Sequence, residues 1–129
     1  MTKKVSIFLF IGLVHLSGCN IFDSADNQIL RQVYNRKESK NAILFLKEGN
    51  ATLDNSLQIK LVDYDYELDS KDVGNVLTAD SNFGETKLDS TTVTVNWQGN
   101  DTLVIKLNRN LRTYVKEHKV KGVAIIYEE

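Results

Sequence analysis

The chain has 129 residues, 42% of them hydrophobic and 26% charged, proportions that fit one globular domain and exclude disorder throughout. Its formal net charge of −1 supplies no basic surface for a polyanion, which excludes nucleic acid as an expected partner.

Residues 1–18 read as a secretory signal peptide. Lys3 and Lys4 form a positive start, residues 5–16 are a mostly apolar run in which His15 is a slight irregularity, and small Ser17 and Gly18 precede Cys19. The run of 12 residues is short of the ~20 that a bilayer-spanning helix requires. Leu16-Ser17-Gly18-Cys19 resembles the bacterial lipobox. The resemblance implies that the Cys19 thiol takes a diacylglyceryl group, that a dedicated peptidase cuts before Cys19, and that two or three acyl chains hold the product on a membrane. Asn20 stands where an aspartate would resemble the inner-membrane retention signal of enteric bacteria. The missing aspartate tilts toward an outer-membrane or surface location in a cell with two membranes, and the expected address is the extracytoplasmic side of an outer membrane or the cell membrane.

Lys3 and Lys4 are the only basic residues before Cys19 and all 17 acidic residues follow it, so the remainder carries 14 basic and 17 acidic side chains, a formal charge of −3. Cys19 is the only cysteine. No intramolecular disulfide can form, even in an oxidising compartment, and the core alone must stabilise the domain.

Residues 19–40 are expected to be the lipidated N-terminus and tether. Ile29, Leu30, Val33 and Tyr34 have helical spacing in this polar stretch, which leaves two readings open: a short helix over residues 25–34, or a flexible tether lifting the domain off the bilayer. Residues 41–129 read as a β-rich domain. Residues 42–47 are apolar on both faces, the mark of a strand covered on both sides, and 48–56 carry turn chemistry. Leu57, Ile59 and Leu61 then alternate with Gln58 and Lys60. The apolar set next becomes Val62, Tyr64, Tyr66 and Leu68, a phase change that predicts a bulge or break near Leu61–Val62.

Loops are predicted over 70–75 and 82–90, with a short strand at 76–79 between them. Val93, Val95 and Trp97 share a face that Leu103, Ile105 and Leu107 continue across the turn at 98–101, predicting a hairpin. Residues 109–121 are the most helix-like part of the domain, with Leu111, Tyr114 and Val115 on one face and Gly122 as the stop. Val123, Ile125 and Tyr127 form a last strand. The expected fold is mainly β: a small antiparallel sheet or sandwich of five to six strands with one short helix.

The series AILFLK, GNAT (49–52), SLQIKL (56–61), GNVLTADSN (74–82), the VNW…DTLVIKL hairpin and terminal GVAIIY is similar to a group of uncharacterised bacterial lipoproteins carrying a domain of unknown function. The likeness covers Tyr34 to Tyr127 and implies a fold and an address only.

No catalytic constellation is legible. His118 is the one histidine after Cys19, no serine lies in nucleophile-elbow glycines, and no cofactor is expected. Asp63, Asp65, Glu67 and Asp69 would line one edge of an extended segment. Such carboxylates suit calcium, but Leu68 and Gly74 fall where an EF-hand loop needs glycine and glutamate; the plainer reading is a solvated strand edge. The polar loops 49–52 and 74–81, with Asn50, Thr52, Asn75 and Asp80, are either a recognition surface or ordinary turns. Trp97 reads as core packing with its indole N–H bonded nearby, in preference to a binding anchor. The leading expectation is a membrane-anchored, non-enzymatic module that binds an unidentified envelope component or secreted protein. A calcium-responsive domain using residues 63–72, and a hydrolase with an unrecognised site, are the alternatives.

Overall fold

A computed structural model describes residues 27–129; the expected signal peptide, Cys19 and residues 20–26 lie outside the described residues. Nine strands follow in order: β1 (Asn27–Tyr34), β2 (Lys40–Lys47), β3 (Ser56–Asp63), β4 (Leu77–Asp80), β5 (Val93–Gln98), β6 (Thr102–Leu107), β7 (Arg112–Lys116), β8 (Lys119–Val120) and β9 (Val123–Glu128). They form a five-stranded sheet, β1-β2-β3-β4-β7, and a four-stranded sheet, β5-β6-β9-β8. The fold is therefore the expected mainly β sandwich, with more strands than alternation alone suggested and no helix among the described residues, so none there is long and apolar enough to cross a membrane.

The core lies between the sheets. Ala42, Leu44, Leu57, Ile59, Leu61, Leu77 and Ala79 of the first sheet meet Val93, Val95, Leu103, Ile105, Leu107, Val123 and Ile125 of the second, all buried. Each large apolar side chain so buried contributes roughly 1.5–3 kcal/mol. The predicted hairpin is present, with Val93 opposite Leu107 and Gln98 opposite Thr102. β9 runs parallel to β6, because the chain leaves the second sheet after β6, adds β7 to the edge of the first, and returns through β8. Lys121 and Gly122, both at positive φ, make the two-residue β8–β9 turn, the geometry that favours glycine in tight hairpins. Trp97 packs against the core and its Nε1–H donates to the Val33 carbonyl at 2.7 Å.

Three segments depart from the sequence expectations. Residues 27–34 are a strand, not a helix or a tether. The pairing steps from Ile29↔Phe45 to Arg31↔Leu44 and leaves Leu30 as the extra residue of a bulge. That bulge lets Leu30 and Val33, three positions apart, both pack on the core, which imitates helical spacing. Residues 109–121 contain β7 and β8 in place of the expected helix. β-branched Thr113, Val115 and Val120 suit strands, and a second bulge, at Tyr114, breaks the alternation. Finally, β3 pairs with β2 without a break from Ser56↔Lys47 to Asp63↔Lys40, so no bulge lies at Leu61–Val62.

The phase change has another cause. β3 ends at Asp63, and residues 64–72 fold back over the outer face of the first sheet. There Leu68 covers Ile43, Phe45 and Val62, a second apolar cluster. β2 is thus buried on both faces, as its sequence requires.

Candidate functional site

Pairing across the first sheet aligns Asn27, Lys47, Ser56, Asp80 and Arg112 in one row over all five strands. The row marks one end of the sheet, here termed the proximal end because the chain arrives there at Asn27. The β2–β3 loop leaves from this row, as does the segment after Asp80. Between them and the outer face of the sheet lies a cleft of about 710 Å³, bounded by Asn50, Thr52, Leu53, Val73, Asp80 and Tyr114 among others.

The β2–β3 loop forms one wall. Asn50 Oδ1 accepts hydrogen bonds from Thr52 N and Oγ1, both at 2.9 Å, and from Leu53 N at 3.0 Å. The Asn50 N–H donates back to Leu53 O. A Cβ on Gly49 would lie 1.8 Å from the Leu53 carbonyl oxygen, so the loop closes in this way only around glycine.

Asp80 forms the opposite wall and is buried. Arg112 Nη2 donates to its Oδ2 at 2.6 Å and Arg112 Nε reaches both oxygens at 3.2 Å. Tyr114 Oη–H donates to Oδ2 at 2.6 Å, and the Asn82 N–H to Oδ1 at 2.9 Å. The Arg112 bonds, helped by Tyr114 and Asn82, outweigh desolvation and hold the Asp80 carboxyl down to about 2. The Arg112 guanidinium also lies 4.4 Å from the Phe83 ring and 5.1 Å from the Tyr114 ring, cation–π contacts that fix both aromatics at the rim. With its carboxylate ionised and both oxygens engaged, Asp80 is organised to hold structure and a polar surface, not to take up a proton. The floor is Gln58, whose Oε1 accepts from Gly74 N at 2.7 Å and whose Nε2 donates to Ser56 Oγ at 2.9 Å.

Three of the four loop residues singled out in the sequence, Asn50, Thr52 and Asp80, therefore meet at one cleft. Asn75 does not: its amide bonds both Leu61 N, at 2.7 Å, and Leu61 O, at 3.0 Å, extending the β3 ladder. Arg112, Tyr114, Phe83 and Val73 were not legible as site residues. Arg112 and Tyr114 sit two apart on a strand, a spacing that shares a face only once the segment is known to be β.

The acidic stretch plays another part. Asp63 pairs with Lys40 at 3.4 Å, Asp69 Oδ1 accepts from Lys71 N at 2.8 Å, and no group of three or more His, Cys, Asp or Glu side chains among the described residues could hold a metal ion. The segment is instead pinned to the sheet. Asn27 Nδ2 donates to Asp69 O at 2.7 Å and Asp72 O at 3.0 Å, and Lys47 Nζ to Ser70 O and Asp72 O, each at 3.1 Å. Lys60 forms an ion pair with Asp72, and Tyr66 Oη–H donates to the same carboxylate oxygen at 2.7 Å. Burial pushes the Asp72 carboxyl up, but bonds from Lys60, Tyr66 and the Asp69 N–H outweigh it and hold the group below the usual range. His118 stands apart from the cleft, edge-on to Tyr127 with ring centroids 5.4 Å apart.

No protein-family model, no curated protein and no solved structure matches the chain.

Proposed function

We propose that this chain is a lipid-anchored protein of the bacterial cell envelope, and that its sandwich is a non-enzymatic binding module holding another envelope component or a secreted protein at the proximal cleft. The address rests on Lys3, Lys4, the apolar run and Leu16-Ser17-Gly18-Cys19. The observation that carries the binding role is the make-up of the cleft. Leu53, Val73 and Tyr114 are exposed apolar side chains beside a fixed polar wall of Asp80 and Arg112, the mixture of apolar surface and oriented polar groups that binding pockets use.

A photo-crosslinking residue placed at Thr52 in the full chain, in cells, tests this reading. The expected result is a discrete adduct that does not form when the same residue replaces Lys37, at the opposite end of the sandwich. Equal labelling at both positions, or none at either, contradicts it.

A further inference from the structure

The outer face of the first sheet carries a second depression, toward the end opposite the cleft. It is a groove of about 460 Å³ between β1 and the returning segment 64–68, and it shares no lining residue with the cleft. That size falls within the about 300–1,000 Å³ of small-molecule sites. Gln32 and Tyr34 come from β1, and Tyr64, Asp65, Tyr66 and Glu67 from the returning segment. Along β1 the groove runs from Ile29, opposite Phe45, to Tyr34, opposite Asn41. Those positions lie roughly 14 Å apart on β2, the length of a short oligosaccharide.

Three of the chain's five tyrosines meet in this groove. Tyr34 is 47% exposed, Tyr64 59% and Tyr66 40%, and none of them belongs to either apolar cluster. Core packing therefore does not account for them. Their positions are fixed all the same. The Tyr64 N–H donates to Ser39 O at 3.2 Å. Tyr66 is held through its phenol by Asp72, with Lys60 Nζ 5.0 Å from its ring centroid. Gln32 Oε1 accepts from the buried Asn41 Nδ2 at 2.9 Å, which orients the amide and leaves its Nε2 donors unspent. Among the described residues the phenols of Tyr34 and Tyr64 and the carboxylates of Asp65 and Glu67 also have no hydrogen-bond partner.

The chemistry of these groups selects the ligand. Residues 29–43 and 60–72, which form and flank the groove, carry six basic and six acidic side chains. A charged polymer would be drawn by one sign and repelled by the other. The unspent polar groups include both donors and acceptors, the pairing that a hydroxyl satisfies. The negative faces of aromatic rings attract the slightly positive hydrogens of C–H groups, and a pyranose ring offers such C–H groups on its faces and hydroxyls at its edge. Tyrosines also lose little conformational freedom on contact.

We infer that this groove binds a neutral polysaccharide chain, with pyranose rings stacked on Tyr34 and Tyr64 and their hydroxyls bonded by Gln32, Asp65 and Glu67. The site is separate from the cleft, so both can be occupied together, and it stands whether or not Cys19 carries lipid.

The test presents the full chain, purified in detergent, to an array of immobilised oligosaccharides, neutral ones beside sulfated and sialylated ones, with polylysine as a cationic competitor. The expected result is saturable retention on neutral glycans that survives high salt and polylysine. Y64A is expected to weaken retention about tenfold. Y64F, which keeps the ring face, is expected to retain most of it, and N96A, on the outer face of the second sheet, all of it. Urea unfolding of each variant reports its folding. Should Y64A prove unstable, D65A/E67A carries the same test at two exposed acceptors, with a loss of similar size expected. Retention chiefly on insoluble wall glycan freed of its peptides, or chiefly on soluble secreted polysaccharide, upholds the inference either way and identifies the source of the chain. No retention on any neutral glycan, retention confined to charged glycans, displacement by polylysine, or undiminished retention by folded Y64A or D65A/E67A would overturn it.

Discussion

Neutralising Asp80 isolates the contribution of the cleft wall. Its carboxyl titrates at about 2 in the fold against 3.8 unperturbed, a difference worth roughly 2–3 kcal/mol. The folded value lies below the unfolded one, so this stabilisation is fully present above pH 4 to 5 and is lost as pH falls through the range between the two values. The variant D80N keeps the shape and retains an oxygen for Arg112, but has no charge to protonate. Urea unfolding followed by Trp97 emission across pH 2–7 should show D80N less stable than the parent by that amount at neutral pH. The two should converge near pH 2, so the acid limb of the stability profile is flatter for D80N. Asp72 and Asp89, also held below their usual range, leave the variant with a residual slope. An acid limb as steep in D80N as in the parent would refute the assignment of that stabilisation to the Arg112–Asp80–Tyr114 group.

Other consequences follow from the packing. L44A, at a position with no exposed surface, should lose roughly 2–5 kcal/mol in the same unfolding assay. N35A should cost about 1–3 kcal/mol and loosen the far end, because Asn35 bonds Ser39 and Lys40 and also the Asn100 carbonyl across the sandwich; hydrogen exchange at Ser39 and Lys40 reports it. D72N should bring the Tyr66 phenol back down toward its ordinary value, since the hydrogen bond to Asp72 is the main cause of its raised position, and alkaline ultraviolet titration measures this.

What the sequence revealed depended on where the pleat is regular. β2, β3, β9 and the β5–β6 hairpin keep an uninterrupted period, and their apolar residues lie where alternation places them. β1 and β7 each carry a bulge, at Leu30 and at Tyr114. One extra residue turns a period of two into spacings of three and four, so both segments resembled helices. The acidic stretch alternates along the chain, but its alternation has no pleat beneath it, because Leu68 turns inward as a cover while Asp63 and Asp69 bond different partners.

The cleft was half legible for a related reason. Asn50 and Thr52 lie beside Gly49, whose turn chemistry marked the loop, and Asp80 closes a similar polar stretch. Arg112 stands 32 positions from Asp80, and only the pairing of β4 with β7 brings the two together. Asn75 shares the Gly-Asn signal of Asn50 but spends its amide on Leu61, which shows that turn residues locate loops without distinguishing recognition from repair of a ladder.

The proposed anchor at Cys19 is the point on which the proposed address depends. Intact mass of the processed protein, extracted from membranes with detergent, measures it directly. The expected product begins at Cys19 and carries the added mass of a diacylglyceryl group, with or without a further acyl chain. A product retaining residues 1–18, or one with a free Cys19 thiol that washes from membranes without detergent, would contradict it.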